Sequence, residues 1–353
     1  MKVQAIRARM QEEKLDGLLI TNGYNRRYVS GFTGSSGCCL VTGRAAELIT
    51  DFRYIEQANR QAPAFTIIRH QADMLETVIE RASEHGVKRL GFEKNHMTYA
   101  LYQRLGELSS DIEFVPVSGL VEASRLVKTT EEVQIIREAA AIADQAFSHI
   151  LTYIKPGMTE LAVSNELDFF MRSLGASGTS FDTIVASGIR SAFPHGVASD
   201  KVIEAGDMVT LDFGAYYKGY CSDITRTIAV GEPGEKMREI YDIVLRAQLN
   251  GVACIKAGLT GKEADALTRD IITEAGYGPN YGHSTGHGIG LEVHEGPTLS
   301  VRGEQALVAG MVVTIEPGIY LEGVGGVRIE DDVLITEDGC EVLTSSLKEL
   351  LVI

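Results

Sequence analysis

The sequence predicts an α/β domain followed by an α+β domain made of two related halves. Three observations carry this. Short apolar runs alternate with helical stretches over roughly the first 125 residues, as in a layered sheet. From residue 154 onward the chain repeats itself at an offset of 101 to 104 positions, too consistently for chance. Between Gly282 and Glu330, three of the eight histidines fall among glycines and are followed by two acid-bearing apolar runs.

Taken in order, residues 3–14 pattern as a helix, 17–21 as a buried strand, and 38–41 with 47–50 as a strand pair around Gly43. Residues 65–69, 89–93 and 112–116 are further short strands, separated by helical stretches near 52–62, 73–85 and 98–108. The expected sheet is mostly parallel or mixed. His70, His85 and His96 stand apart from one another and read as surface or satisfied histidines. Arg26, Arg27 and Tyr54 are the side chains here singled out as able to reach a neighbouring site.

The domain boundary is placed between residues 127 and 128, giving domains 1–127 and 128–353. Thr129-Thr-Glu-Glu132 fits a capping box. Behind it Val133, Ile136, Ala140, Ala143, Phe147 and Ile150 fall on one helical face. The repeat then begins. Ile154-Lys-Pro-Gly157-Met-Thr159 returns as Ile255-Lys-Ala-Gly258-Leu-Thr260, and each leads into a helix stopped by a glycine, Gly175 or Gly276. The stretch from Gly206 through Asp212 to Tyr216 returns as Gly310 through Glu316 to Tyr320, 104 positions on. A second acid follows in each half, Asp223 and Glu330. Two halves facing each other across a pseudo-two-fold axis would bring all four acids together.

Composition narrows the function. The balance of 33 basic against 48 acidic residues, a formal charge of −15, opposes nucleic acid or an anionic membrane as partner. No apolar run approaches the roughly 18 residues of a spanning helix, and the opening Met-Lys-Val-Gln-Ala-Ile reads as an amphipathic helix start rather than a signal peptide. Five cysteines without a CxxC spacing read as core residues in a reducing compartment. The expectation is a soluble cytoplasmic protein.

The acids carry the chemistry. Asp212 and Asp223 are expected on paired strands, 208–217 and 220–230, joined by a tight turn at Lys218-Gly219. Aspartate is disfavoured inside strands, and an unpartnered carboxylate is costly to bury. Four such acids beside clustered histidines therefore point to cations. His287 is the natural nitrogen ligand. With Asp212, Asp223, Glu316 and Glu330 it forms a mostly hard-oxygen set that suits Mn²⁺ first, with Co²⁺ or Zn²⁺ as alternatives. Bridging carboxylates let five side chains hold two ions about 3.5–4 Å apart, which acidify a shared water and clamp a carbonyl. A single-ion site remains open on composition alone. His195 and His294 are candidates for proton or oxyanion work.

The motifs Pro-His195-Gly, Leu-Asp212-Phe-Gly, Ser-Asp223-Ile-Thr-Arg226-Thr, His283-x3-His287-Gly-Ile-Gly, Val-His294-Glu, Thr-Ile-Glu316-Pro-Gly and Gly-Val-Arg328-Ile-Glu330-Asp resemble the pita-bread metallopeptidases. That family comprises methionine aminopeptidase, prolidase and aminopeptidase P. The first domain resembles that of prolidases and aminopeptidase P. The resemblance implies a pita-bread second domain, with Asp212, Asp223, His287, Glu316 and Glu330 as dinuclear ligands and Asp223 and Glu330 bridging. It implies Glu316 as the proton acceptor, His294 as the residue steadying the tetrahedral intermediate, and His195 and His283 as lining the substrate site. Arg328 orients the site, and Arg302 would receive a dipeptide's free carboxylate. The implied activity is Xaa-Pro dipeptidase (prolidase) through a metal-bridging hydroxide, in a homodimer. The alternatives are an aminopeptidase P acting on longer Xaa-Pro peptides, a metal-free creatinase-type hydrolase, and a non-catalytic binding protein of the same fold.

Overall fold

In the computed structural model, which describes residues 2–353, the apolar runs before Arg125 assemble into one six-stranded mixed sheet. Gly17–Ile20 lies within it, antiparallel to Cys38–Thr42 and parallel to Arg89–Glu93. All four of its residues are buried, as the continuous apolar run requires of an inner strand. Cys38–Thr42 turns back onto Ala46–Thr50, and parallel Thr66–Arg69 and Glu113–Val117 complete the two edges. The helices Met74–Glu84 and Tyr99–Leu108, capped by Asp73 and Thr98, bury Leu75, Val78, Ala82 and Leu105 with Leu19, Leu40 and Leu90.

The helix Gly23–Ser30 escapes the sequence pattern. It has no apolar stripe and is held by polar contacts instead. Asn22 caps it, and the buried Asn25 amide donates to Glu93 and Glu122 at 2.7 and 2.8 Å. Arg26, expected to reach a site, is buried and donates to the carbonyls of Gly34 and Gly37. His85 and His96 are satisfied histidines, bonded to Glu47 and Thr21.

The second unit, Leu126–Ile353, opens with the helix Thr130–Tyr153. Thr129 and Glu132 form its capping box, and the six predicted apolar positions are buried. Ala143, Phe147 and Ile150 pack against Val209, Leu211, Phe213 and Ile224. The repeat is realised element by element. Helices Glu160–Ser173 and Gly261–Glu274 start at Thr159 and Thr260 caps. They end ahead of Gly175 (φ 103°) and Gly276 (φ 90°), whose left-handed conformation suits glycine.

Each half then builds a hairpin with two interrupted arms. In the first, Asp207–Phe213 and Ala215–Tyr217 return through Tyr220–Cys221 and Ile224–Val230. Lys218 and Gly219, both at positive φ, make the two-residue turn. In the second, Val312–Ile315 and Gly318–Leu321 return through Gly325–Arg328 and Asp331–Ile335. The sequence pattern gives three of these arms as continuous and ends the fourth at Glu316, before Pro317-Gly318; the structure breaks all four beside an acid. At Gly214 the reason is visible: a Cβ there would lie 1.8 Å from the Ser222 carbonyl oxygen. Beyond it the chain leaves the partner Ile184–Ser187 and pairs with Gly178–Thr179. The hairpins meet side by side, Glu330 N–H donating to Thr225 O at 3.0 Å and Thr227 Oγ1 to Arg328 O at 2.9 Å. Among the described residues no helix is long and apolar enough to cross a membrane.

Candidate metal centre

The breaks in the two hairpins are where the acids converge. Asp212 lies in the ladder opposite Thr225. Asp223 sits in the gap before Ile224–Val230, its N–H donating to Asp332 Oδ2 at 2.9 Å. Glu330 sits in the matching gap of the other hairpin and accepts from Thr225 Oγ1 at 2.5 Å. Glu316 follows Val312–Ile315; its N–H donates to Thr285 O at 2.8 Å, and Oε1 accepts from Thr314 Oγ1 at 3.3 Å.

His287 occupies the middle of the short strand Gly286–Gly288, between Glu295–Leu299 and Val312–Ile315. Glycines flank it because its neighbours press close: a Cβ at Gly286 would meet Thr314 O at 2.0 Å, and one at Gly288 would meet Gly296 O at 1.9 Å. Ligand atoms of Asp223, His287 and Glu330 lie within 4.8 Å of one another. His287 Nε2 is 3.8 Å from Asp223 Oδ2 and 3.3 Å from Glu316 Oε1. Its Nδ1 lies 3.1 Å from the Gly288 carbonyl, so Nδ1 carries the hydrogen and Nε2 presents its lone pair to the acids. Burial, aided by His294, lowers its pKa to about 4, leaving a neutral imidazole.

The carboxyls are shifted the other way. Burial first, then the neighbouring carboxylates, push Asp223 and Glu330 well above the usual range. Burial raises Glu316 to about 8. One guanidinium enters the cluster: Arg328 donates to Asp212 Oδ2, Thr225 Oγ1, Tyr320 Oη and the Pro194 carbonyl. Asp212 Oδ1 and Asp223 Oδ1 are buried without any hydrogen-bond partner, which a folded chain rarely leaves uncompensated. Unpartnered carboxylate oxygens beside a neutral imidazole fit hard divalent cations.

These groups open onto a cavity of about 740 Å³ walled in part by Phe181, Ile184, Val197 and Val293. His195, His283 and His294 also line it, and the His294 ring centroid is 4.3 Å from that of His287. His283 has both nitrogens engaged, Nδ1 with Ser284 O and Nε2 with Tyr320 Oη, each at 2.8 Å. Burial, then Arg328, lower its pKa to about 4. Nine of the ten residues assigned from the sequence of the second domain to metal, catalysis or substrate therefore line one cavity. Arg302 does not: it is exposed on the turn after Glu295–Leu299 and is not part of the wall. Tyr320, which links Arg328 to His283, was not singled out. The signal was present, since it stands where the repeat places Tyr216 in the other half.

The sequence matches metallopeptidase family M24 over residues 134–337 and the creatinase/prolidase N-terminal domain over residues 2–127. A solved Xaa-Pro dipeptidase from Bacillus anthracis is 59% identical, covers 100% of this chain and 99% of its own, and superposes with a TM-score of 0.98. The Xaa-Pro dipeptidase of Pyrococcus horikoshii is 43% identical over 351 residues, 99% of this chain and 98% of that protein. A solved X-Pro aminopeptidase from Thermotoga maritima is 41% identical, covers 98% of this chain and 100% of its own, with a TM-score of 0.91.

Proposed function

The chain belongs to metallopeptidase family M24, and from that premise we propose that it hydrolyses the bond preceding proline in Xaa-Pro dipeptides. The observation that carries this is the buried carboxylate cluster, with unpartnered oxygens on Asp212 and Asp223 beside the lone pair of His287. Relatives called Xaa-Pro dipeptidase that match essentially end to end support the substrate class.

Asp212, Asp223, His287, Glu316 and Glu330 would hold two divalent ions, with Mn²⁺ the first choice and Co²⁺ or Zn²⁺ the alternatives. When bound, the pair supplies a polarised carbonyl and a water acidic enough to attack at neutral pH. The remaining work falls to this chain's own groups. A bond before proline has no N–H, and its nitrogen must gain a proton to depart. Glu316, raised to about 8 by burial, would be lowered by bound cations into the range where it takes a proton from water and passes it on. His294 and His195, on the cavity wall, donate to the substrate's carbonyl oxygen and terminal groups. His283, neutral and tied to Tyr320, shapes the wall beside Glu316, whose Oε2 lies 3.8 Å away. Arg328 fixes one Asp212 oxygen and leaves the other for an ion.

The second reading is an aminopeptidase P acting on longer peptides, favoured by the likeness to the Thermotoga maritima enzyme. Arg302 has no part in the proposal. A homodimer in the cytoplasm completes it, and light scattering of the purified protein tests the dimer. Activity is tested by chelating the protein, reloading it with Mn²⁺, Co²⁺ or Zn²⁺, and offering Xaa-Pro and Xaa-Pro-Yaa side by side. Faster turnover of the dipeptide is expected. Preference for the tripeptide replaces the first reading with the second, and no turnover of either refutes both.

A further inference from the structure

Glu160, the first residue of the helix Glu160–Ser173, is fully buried although charged. Five donors satisfy it. Ser187 N–H and Oγ both reach Oε1 at 2.8 Å. Ser199 N–H and Oγ reach Oε2 at 3.1 and 2.7 Å, and Arg190 Nη1 binds the same oxygen. Ser187 and Ser199 are the two ends of one excursion of the chain, and Arg190 lies inside it, its Nη2 donating to Val197 O at 2.9 Å. A single carboxylate thus ties both ends and the interior of the segment 188–198. That segment carries Pro194, His195 and Val197 on the cavity wall, and Arg328 reaches its Pro194 carbonyl from the acid cluster.

The other half contains a counterpart. Asp265, buried near the start of Gly261–Glu274, accepts from Thr285 N–H and Oγ1 at 3.0 and 2.8 Å and from Arg269. Arg269 donates in turn to the carbonyls of Tyr281 and His283 at 3.0 and 2.6 Å. In both halves a buried acid on the outer helix, paired with an arginine, holds the backbone that carries a cavity histidine. A charged group is costly to bury unless fully paired, and here the pairing is spent on the segment that meets substrate rather than on the core.

We propose that Glu160 is a positioning residue, fixing the segment 188–198 and through it His195 against the substrate. This rests on the reading of the cavity as a peptidase site. Misplacing a contacting group by about an ångström is enough to weaken binding severalfold or more. The bonds from Leu161 N–H to Ser199 O and from Glu160 N–H to Lys201 O are backbone and survive substitution, so the helix keeps its end.

The test uses the full, metal-reloaded chain as wild type, Glu160→Gln, His195→Ala and the double variant. Glu160→Gln should raise KM for an Xaa-Pro dipeptide about tenfold with kcat changed less than about twofold and metal content unchanged. Amide hydrogen exchange over 188–198 should quicken. In the His195→Ala background the Glu160→Gln effect on KM should largely vanish, because the two act as a unit. Ser199→Ala, a milder change removing one of the five bonds, should move KM and exchange the same way by less, and it decides the matter if Glu160→Gln does not fold. Unaltered KM and exchange in the variants, or effects that simply multiply in the double variant, overturn the proposal. Loaded wild type that turns over no peptide would instead sink the functional reading, a distinct outcome.

Discussion

Removing metal should make the stability of this protein fall as pH rises from about 6.5 to 8. The folded pKa of Glu316, about 8, lies above its ordinary value of 4.5. Its contribution is therefore fully present below 4.5 and lost as pH rises through about 8. Asp223 and Glu330 shift in the same direction. His283 and His287 run the other way, from 6.5 to about 4. Their contribution is complete above 6.5 and lost as pH falls through about 4. The two sets oppose each other in acid, but between 6.5 and 8 the carboxyls act alone. At roughly 1.4 kcal/mol per pH unit, one proton retained by this carboxyl cluster across that window removes about 2 kcal/mol. Cations binding the ionised carboxylates offset the loss. The chain has no tryptophan, so urea unfolding is best followed by far-UV circular dichroism, with chelated and Mn²⁺-loaded protein compared at each pH. The gap between the two should widen by about 2 kcal/mol or more from pH 6.5 to 8. A chelated protein whose stability is flat or rising over that window would refute this account of the buried carboxyls.

Two substitutions probe the geometry around His287. In Gly288→Ala the new Cβ would lie 1.9 Å from the Gly296 carbonyl oxygen, and backbone must move; a loss of roughly 2 kcal/mol or more is expected, with metal per chain reduced. Full metal content with unchanged unfolding would show that the strand yields without disturbing His287. Tyr320→Phe removes the hydroxyl between Arg328 and His283; at about 1 kcal/mol of lost hydrogen bonding it should lower kcat/KM about fivefold while metal content holds. Unaltered kinetics would mean that His283 is held well enough by Ser284.

The sequence made the elements legible where periodicity and capping agree. The helix behind Thr129 needed only the capping box and one apolar face. The repeat makes the two related halves legible, because both keep the same order of cap, glycine stop, strand and acid. Of the interruptions only the one at Glu316-Pro317-Gly318 was legible, as a strand end before proline. Asp223 and Glu330 sit in alternating apolar runs that read as unbroken strands. What breaks them is a tertiary matter, the close approach of Gly214 to the Ser222 carbonyl and the contact of Glu330 with Thr225 on the other hairpin. Gly23–Ser30 was lost for a different reason: its stability comes from buried hydrogen bonds to residues some 70 to 100 positions away, which no window of sequence contains. Arg302 shows the converse risk. A residue type suited to a task lay near the right motif, yet its turn points it to solvent.

The charges at the centre argue for two ions rather than one. When ionised, Asp212, Asp223, Glu316 and Glu330 bring four negative charges, the buried Asp332 that accepts from Asp223 N–H brings a fifth, Arg328 returns one, and His287 is neutral at physiological pH. Most of this lies below a tenth of full exposure: Asp212 at 8%, Asp223 at 4%, Glu330 at 2% and Arg328 at 3%. Water is thus too distant to screen the residual repulsion, which adds to the burial that raises the carboxyl pKa values. One divalent ion would leave the cluster negative, the wrong sign for a substrate carbonyl that gathers negative charge as it is attacked. Two would cancel it, so that charge meets no net repulsion. Placement agrees, since Asp223, His287 and Glu330 are close enough to surround one ion while Asp212, pinned by Arg328 on one oxygen, keeps a second, buried oxygen that none of them satisfies.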